Sequence, residues 1–146
     1  MGTAAGDELR VRFATEGDWG FWLALDRHLG EEAFFRKVRD RMAYVLTRAD
    51  RPVGILRYSL FWDSIPFCNM LYLAEGERGK GGGRTLMAHW EREMKAAGFG
   101  LAMTSTQSDE AAQHFYRKLG YRDCGGLMLP FPGYEQPMEL ILAKAL

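Results

Sequence analysis

A glycine-rich segment in the middle of the chain constrains the fold more than any other feature. Residues 76–83 hold five glycines in eight positions and lead directly into an apolar helical pattern marked by Leu86, Met87 and Trp90. An apolar run over residues 67–74 precedes them and is typical of a strand. Glycine loses much conformational freedom on folding, so this density indicates a special backbone or a ligand approaching closely. Because a helix start presents unpaired N–H groups, we predict a strand–loop–helix unit that binds an anion.

Three cations around the same turn, Arg78, Lys80 and Arg84, favour a phosphate-containing ligand. A Walker A loop is excluded because no glycine of the segment is followed by Gly-Lys-Ser/Thr at the required offset. A dinucleotide G-x-G-x-x-G loop is excluded because Arg84 or Leu86 stands where its last glycine is required. A solvent loop whose charges only confer solubility stays open as the alternative.

Composition limits the class of protein. The 146 residues suffice for one core, and we expect a single domain over residues 8–146 after a disordered tail over residues 1–7. Lysine plus arginine and aspartate plus glutamate both number 19, which argues against nucleic-acid binding. The apolar runs are too short to span a membrane, and we expect no signal peptide because the first residues lack its pattern. The two cysteines suggest no disulfide framework, so we expect a reducing, cytoplasmic setting; they also lack metal-ligand spacing, so we expect no metal.

The order of predicted elements indicates an α/β (mixed α+β) domain with helices on the faces of a mixed sheet. Predicted strands cover residues 9–13, 43–47, 53–62, 67–74 and 101–105, a stretch from 121, and residues 139–142. Predicted helices cover residues 17–28 and 31–41, the apolar pattern that ends at Gly98, and residues 112–119. A capping box at Thr15–Asp18 is predicted to start the first helix.

Two motifs carry a resemblance to a known family. Residues 78–83, RGKGGG, resemble the R-x-x-G-x-G acetyl-CoA signature of the GNAT N-acetyltransferases, where this loop cradles the CoA pyrophosphate. Residues 112–121, AQHFYRKLGY, resemble the family's A-x-x-F-Y-x-x-x-G-F/Y block on the helix after the next strand. The element order also matches over residues 8–144. The resemblance implies a three-layer α/β/α fold with a mixed central sheet of about six to seven strands.

The resemblance implies acetyl-CoA as the cofactor. Its pantetheine arm is expected to pair like an added strand with the end of the fourth strand, while its pyrophosphate lies on the glycine loop. Asp109 stands where the family often has asparagine, so it is expected either to contact the arm or to cap the following helix. Ser105 and Thr106, at the end of the preceding strand, are expected to face the cofactor. The cofactor-binding residues so implied are Leu71, Tyr72, Leu73, Arg78, Gly79, Lys80, Gly81, Gly82, Gly83, Arg84, Asp109 and Ala112.

The resemblance implies direct transfer of an acetyl group to a primary amine of a small molecule or peptide. Tyr116 matches the family's general acid and would protonate the departing thiolate; the alternative is a packed aromatic beside Phe115. Glu75 follows the fourth strand and is the candidate general base; the alternative is a solvated acid beside Glu77. Two rival functions stay open: a catalytically idle CoA-binding sensor or scaffold, and a transferase that uses another acyl-CoA.

The acceptor pocket is the least defined part of the site. Asp63 in an aromatic setting would attract a cationic amine, and the alternative is an ordinary Asp-Ser-Ile-Pro turn. A homodimer is possible, since residues 127–129 and 138–142 are apolar enough for a core or an interface. The candidate acceptor-binding residues are Trp22, Asp26, Trp62, Asp63 and Tyr134.

Overall fold

The structure, a computed structural model, describes residues 7–146. The predicted tail over residues 1–7 lies, except for Asp7, outside the described residues. No helix in the described range is long and apolar enough to cross a membrane. The elements are β1 (Leu9–Phe13), a 3₁₀ turn (Glu16–Asp18), α1 (Trp19–Leu25), α2 (Glu31–Arg39), β2 (Ala43–Arg48), β3 (Arg51–Phe61), β4 (Ile65–Leu73), α3 (Gly82–Ala96), β5 (Leu101–Gln107), α4 (Ala112–Lys118), β6 (Arg122–Leu127) and β7 (Glu139–Ala145).

The strands form one seven-stranded sheet in the order β1-β2-β3-β4-β5-β7-β6. β1 pairs antiparallel with β2, and β2 pairs antiparallel with β3. β4 and β5 are parallel, which requires a crossover connection, and α3 supplies it. β7 pairs antiparallel with both β5 and β6. The predicted mixed α/β architecture is therefore confirmed.

The first helix is shorter than the predicted span of residues 17–28. The predicted capping contact is present, since the Thr15 backbone N–H donates to the Asp18 carboxylate at 2.8 Å. α1 ends at Leu25 because Asp26 has an extended backbone, with φ −127° and ψ 99°. The Asp26 carboxylate accepts hydrogen bonds from the Arg57 guanidinium at 2.7 Å and from the His28 backbone N–H at 3.1 Å. These contacts hold the chain outside the helix.

The described chain consists of two compact units. The first unit contains residues 7–59 and 69–92, and the second contains residues 60–68 and 93–146. The expected single domain over residues 8–146 stays a prediction.

In the first unit, helices cover both faces of the sheet. Trp22 of α1 and Phe34 of α2 are fully buried in one cluster with Val45 of β2. Successive strand residues point to opposite faces, so Tyr44 lies on the other face, where its ring centre is 5.4 Å from that of His89 in α3. Full burial of a side chain such as Phe34 contributes about 1.5–3 kcal/mol.

In the second unit, β5 lies between β4 and β7, and α4 contacts β5. Leu142 of β7 is fully buried, so the apolar segment 138–142 contributes to the core. The segment 127–129 does not, because Leu127 is 47% exposed and Met128 is 71% exposed. The connection from β6 to β7 carries further exposed apolar side chains, including Phe131 and Tyr134.

Candidate active site

Three glycines give the loop between β4 and α3 its path. Gly76, Gly79 and Gly81 have φ values of +83°, +76° and +84°, a left-handed conformation that other residues rarely adopt. A Cβ added at Gly79 or Gly81 would meet no atom of the described chain within 4 Å. These glycines therefore serve the backbone conformation and leave the outer side of the loop open to a ligand.

Gly82 serves a different purpose, close packing at the start of α3. A Cβ at this position would lie 2.9 Å from Cδ2 of Leu46 and 3.3 Å from Cδ2 of Leu73. The Thr85 backbone N–H donates to the Gly81 carbonyl at 3.0 Å and so closes the first turn. The loop thus delivers the helix start, with its unpaired N–H groups and partial positive charge, directly beside the sheet.

A largely buried ion pair anchors the loop to β2. Arg48 Nε donates to Glu77 Oε2 at 2.9 Å, and the two side chains are 17% and 15% exposed. The Glu77 backbone N–H also donates to the Ala74 carbonyl at 3.1 Å. Glu77 is therefore a structural residue of the loop.

Glu75, two positions earlier, faces a cleft of about 500 Å³ in the first unit. Its side chain is exposed, and within residues 7–146 its carboxylate forms no hydrogen bond or ion pair. It is therefore available to a ligand as a base or as a counter-charge for an amine. The cleft is lined by Ala24, Leu25, Tyr72, Leu73, Glu75, Gly76 and Arg78.

The three loop cations differ in their surroundings. Arg78 Nη2 donates to the Tyr72 hydroxyl at 2.9 Å, and its guanidinium lies 5.2 Å from the centre of the Tyr72 ring. Lys80 and Arg84 are exposed and form no ion pair with any residue of the described chain. Two uncompensated cations thus lie at or next to the start of α3, an electrostatic setting that attracts phosphate.

Tyr116 of α4 lies in the second unit and is 6% exposed. Burial raises the pKa of Tyr116 above its ordinary value, nearby Cys68 adds to the rise, and a hydrogen bond with Thr104 opposes it. Thr104 Oγ1 in turn donates to the Cys68 carbonyl at 3.1 Å. The phenol therefore stays protonated at neutral pH and can act only as a proton donor there.

The capping role considered for Asp109 is wrong. The residue before α4 is Ala111, and no side chain caps the helix there. Asp109 is exposed in the turn before α4, while Ala112, the first residue of the helix, is partly buried. Contact of either residue with a cofactor stays a prediction.

Two of the candidate acceptor-binding residues lie in the core. Trp22 and Asp26 both have 0% exposure, and the indole Nε1 donates to the Asp26 carboxylate at 3.2 Å. Asp26 also forms a 2.7 Å ion pair with Arg57. No acceptor can contact side chains closed off in this way, so this placement corrects their assignment to a pocket.

Trp62 and Asp63 form the tip of the hairpin between β3 and β4. Their φ values are +54° and +56°, and the Ser64 backbone N–H donates to the Phe61 carbonyl at 3.1 Å. Trp62 is 78% exposed, and Asp63 is exposed beside it. Tyr134, on the β6–β7 connection, is 67% exposed. All three are accessible, and their contact with an acceptor stays a prediction.

Sequence reasoning missed several residues of the cleft and of the tyrosine environment. Ala24 and Leu25 of α1 line the cleft, and no sequence signal distinguishes them from ordinary helix residues. Thr104 forms a hydrogen bond with Tyr116. The sequence signal that could have identified Thr104 is its position on the strand before the Phe115-Tyr116 motif. Among the predicted cofactor-binding residues, Tyr72, Leu73 and Arg78 share the cleft with Glu75.

Comparisons with known proteins agree with this geometry. The model of the acetyltransferase (GNAT) family matches residues 10–121. A comparison with curated proteins finds no match. Solved structures with the same fold include Ard1 from Thermoplasma volcanium, with a TM-score of 0.82 and 15% identity over 94% of this chain and 97% of that chain.

Two further solved structures share the fold. The ribosomal-protein-alanine N-acetyltransferase of Brucella melitensis has a TM-score of 0.78 and 22% identity, covering 94% of this chain and 99% of that chain. Naa50 of Arabidopsis thaliana, in complex with the bisubstrate analogue CoA-Ac-MVNAL, has a TM-score of 0.77 and 13% identity, with the same coverage of 94% and 99%. The family match spans most of the chain and contains both the glycine loop and Tyr116, and on this ground the chain belongs to the GNAT family of acetyltransferases.

Proposed function

We propose that this protein transfers the acetyl group of acetyl-CoA directly to a primary amine of a small-molecule or peptide acceptor. The observation that carries the proposal is the glycine loop. Three left-handed glycines lead to the start of α3, and their outer side is open. Two cations that have no ion-pair partner in the described chain lie beside it. This arrangement suits a diphosphate.

The residues that would hold acetyl-CoA fall into two groups. Arg78, Lys80, Arg84 and the loop glycines would bind the pyrophosphate, while the backbone of Leu71, Tyr72 and Leu73 would pair with the pantetheine arm. Asp109 and Ala112 are further candidates for contact with the arm. The bound cofactor supplies an activated acetyl group as a thioester. The protein supplies orientation, which alone accounts for a large part of the rate of such transfers.

Proton transfer is assigned to two side chains. Tyr116 donates a proton to the leaving sulfur, and its raised pKa keeps the phenol protonated until that moment. Glu75 accepts a proton from the incoming amine, directly or through water, since its carboxylate is exposed and without a partner in the described chain. The amine must be neutral to attack, so the rate should rise with pH until the bound amine is deprotonated.

Two of the structures that share the fold have names consistent with an amine acceptor. One is named for the alanine of a ribosomal protein, and the other is bound to a CoA–peptide conjugate. At identities of 22% and 13% these structures show the shared fold alone, so they do not identify an acceptor for this chain. For this chain we propose that the amine enters the cleft beside Glu75.

Thermal unfolding with acetyl-CoA, with NAD and ATP as controls, tests the cofactor. At one hundred times its dissociation constant, acetyl-CoA should stabilise the fold by about 2.7 kcal/mol, or roughly 5–10 °C in Tm. NAD and ATP should give smaller shifts. Absence of a shift at millimolar acetyl-CoA would refute the proposed function.

Substitution of Tyr116 separates an enzyme from an idle CoA-binding scaffold. With an amine found by screening, Tyr116→Phe should lower kcat about a hundredfold and leave the acetyl-CoA dissociation constant within about twofold. A protein that binds acetyl-CoA but turns over no amine would be the scaffold instead. Comparison of acetyl-, propionyl- and succinyl-CoA tests the rival acyl donors.

A further inference from the structure

Thr106 of β5 carries a buried hydroxyl that residues 7–146 leave without a hydrogen bond. Its side chain is 5% exposed, and Oγ1 has no hydrogen-bond partner among the described residues. Buried polar atoms without a partner are uncommon because they lose their bonds to water and gain none in return. Threonine is therefore a costly choice at this position, where valine has nearly the same shape.

The neighbouring threonine on the same face of β5 shows what Thr106 lacks. Thr104 Oγ1 donates to the carbonyl of Cys68, the residue opposite it in the parallel ladder. Thr106 Oγ1, two residues further along β5, has no corresponding partner among residues 7–146. On its other side Thr106 pairs with Leu140 of β7 through the backbone, which leaves the hydroxyl unaffected.

The turn between β5 and α4 does not satisfy the hydroxyl either. The Gln113 side chain donates to the carbonyls of Ser108 and Glu110, both at 2.9 Å. The Glu110 carboxylate accepts the Gln107 backbone N–H at 3.3 Å. The polar groups of this turn bond to one another, and the hydroxyl next to the turn is left over.

We propose that Thr106 is a positioning residue whose hydroxyl forms a hydrogen bond with an amide of the bound acetyl-CoA arm. The inference rests on the proposed function. A threonine hydroxyl donates and accepts, and an amide offers both complementary groups. Rotation of the Thr106 side chain between staggered conformations re-aims the hydroxyl without moving the strand. Cofactor binding then removes a penalty that the free protein carries.

The test is Thr106→Val beside the matched control Thr47→Val. Thr47 is 6% exposed, but its Oγ1 has a partner, the Arg10 carbonyl at 3.4 Å. Without ligand, Thr106→Val should raise the Tm, because it removes an unsatisfied group, whereas Thr47→Val should lower it. In calorimetric titration, Thr106→Val should weaken acetyl-CoA binding about five- to tenfold, and Thr47→Val should leave it unchanged.

Two further measurements locate the effect. Adenosine 3′,5′-diphosphate carries no pantetheine arm, so its affinity should be equal for wild type and Thr106→Val. Thr106→Ser keeps the hydroxyl and should keep most of the acetyl-CoA affinity, which also covers the case in which valine impairs folding. Equal acetyl-CoA affinity of wild type and Thr106→Val would overturn the inference. Failure of the wild type to bind acetyl-CoA would instead overturn the proposed function.

Discussion

At the scale of single residues, two glutamates two positions apart in the glycine loop have opposite surroundings. Glu77 pairs with Arg48 in a largely buried contact, whereas Glu75 faces the cleft without a partner in the described chain. We expect Glu77→Gln to lower the free energy of unfolding by about 1–3 kcal/mol, because the Arg48 charge loses its counter-charge. We expect Glu75→Gln to leave stability unchanged and to lower kcat/KM for the amine about tenfold or more.

Each variant is the control for the other, since both remove one negative charge from the same loop. Thermal unfolding measures the first effect, and steady-state kinetics with acetyl-CoA saturating measures the second. Unchanged kcat/KM in Glu75→Gln would remove Glu75 from the mechanism and leave the amine without a protein base. A general loss of charge would instead affect both variants equally.

At the scale of elements, the conformation of the glycine loop can be separated from its role in binding. Gly81 and Gly98, at the two ends of α3, have φ values of +84° and +96°, and a Cβ at either meets nothing within 4 Å in the described chain. Alanine should therefore cost a similar 1–2 kcal/mol of stability, roughly, at both positions. Gly81→Ala should also weaken acetyl-CoA binding roughly tenfold, the equivalent of about 1.4 kcal/mol.

Gly98→Ala provides the comparison, because it carries the same backbone strain away from the ligand. Calorimetric titration of both variants measures the difference. Equal acetyl-CoA affinities for the two would contradict binding of the cofactor by the glycine loop.

Elements whose signal is local could be predicted from the sequence. The strand over residues 9–13 matches β1, and the glycine run indicates the position of the loop before α3. The end of α1 could not be predicted, because Asp26 is held by Arg57, which lies 31 residues away in sequence. The hairpin tip already begins at Trp62, inside the predicted strand over residues 53–62. Nothing local predicts the left-handed backbone found there.

The residues of the candidate site also fall into those that the sequence predicts and those that it does not. Residues 78–83 and Tyr116 belong to contiguous motifs that the sequence makes visible, whereas the cleft also takes Ala24 and Leu25 from α1. The sequence does not distinguish a core position from a pocket position for Trp22, because an aromatic side chain on an amphipathic helix suits both. The structure has Trp22 in the core. The unsatisfied hydroxyl of Thr106 is visible only once every possible partner has a position.

At the scale of the whole molecule, three carboxylates with lowered pKa values make stability depend on pH in the acid range. Burial by itself raises the pKa of Asp18, but hydrogen bonds from Arg12 and Thr15 outweigh it and bring the pKa below the ordinary value. Hydrogen bonds from Arg39 and Arg117 lower the pKa of Asp40 and Asp123, respectively. A carboxylate with a lowered pKa binds fewer protons in the folded state than in the unfolded state. Its contribution is therefore present above the unfolded pKa of about 4 and is lost as pH falls below it.

We expect the Tm to change little between pH 7 and pH 5 and to fall steeply below about pH 4. Of the three carboxylates, Asp18 should contribute most to this pH-dependent stability. It is 7% exposed and accepts two hydrogen bonds from Arg12, at 2.8 and 2.9 Å. At pH 7, Asp18→Asn should lower the free energy of unfolding by about 1–3 kcal/mol. Asp40→Asn, at an exposed position, should have a much smaller effect.

The difference between wild type and Asp18→Asn should shrink as pH falls below 4, because the wild-type carboxylate then becomes protonated and loses the same interactions. Thermal unfolding of wild type, Asp18→Asn and Asp40→Asn from pH 7 to pH 3 measures this convergence. A difference that stays constant over the whole range would mean that Asp18 acts through shape and neutral hydrogen bonds. The loss of stability at acid pH would then arise elsewhere in the molecule, and the ion pair that ties β1 to the start of α1 would contribute nothing through its charge.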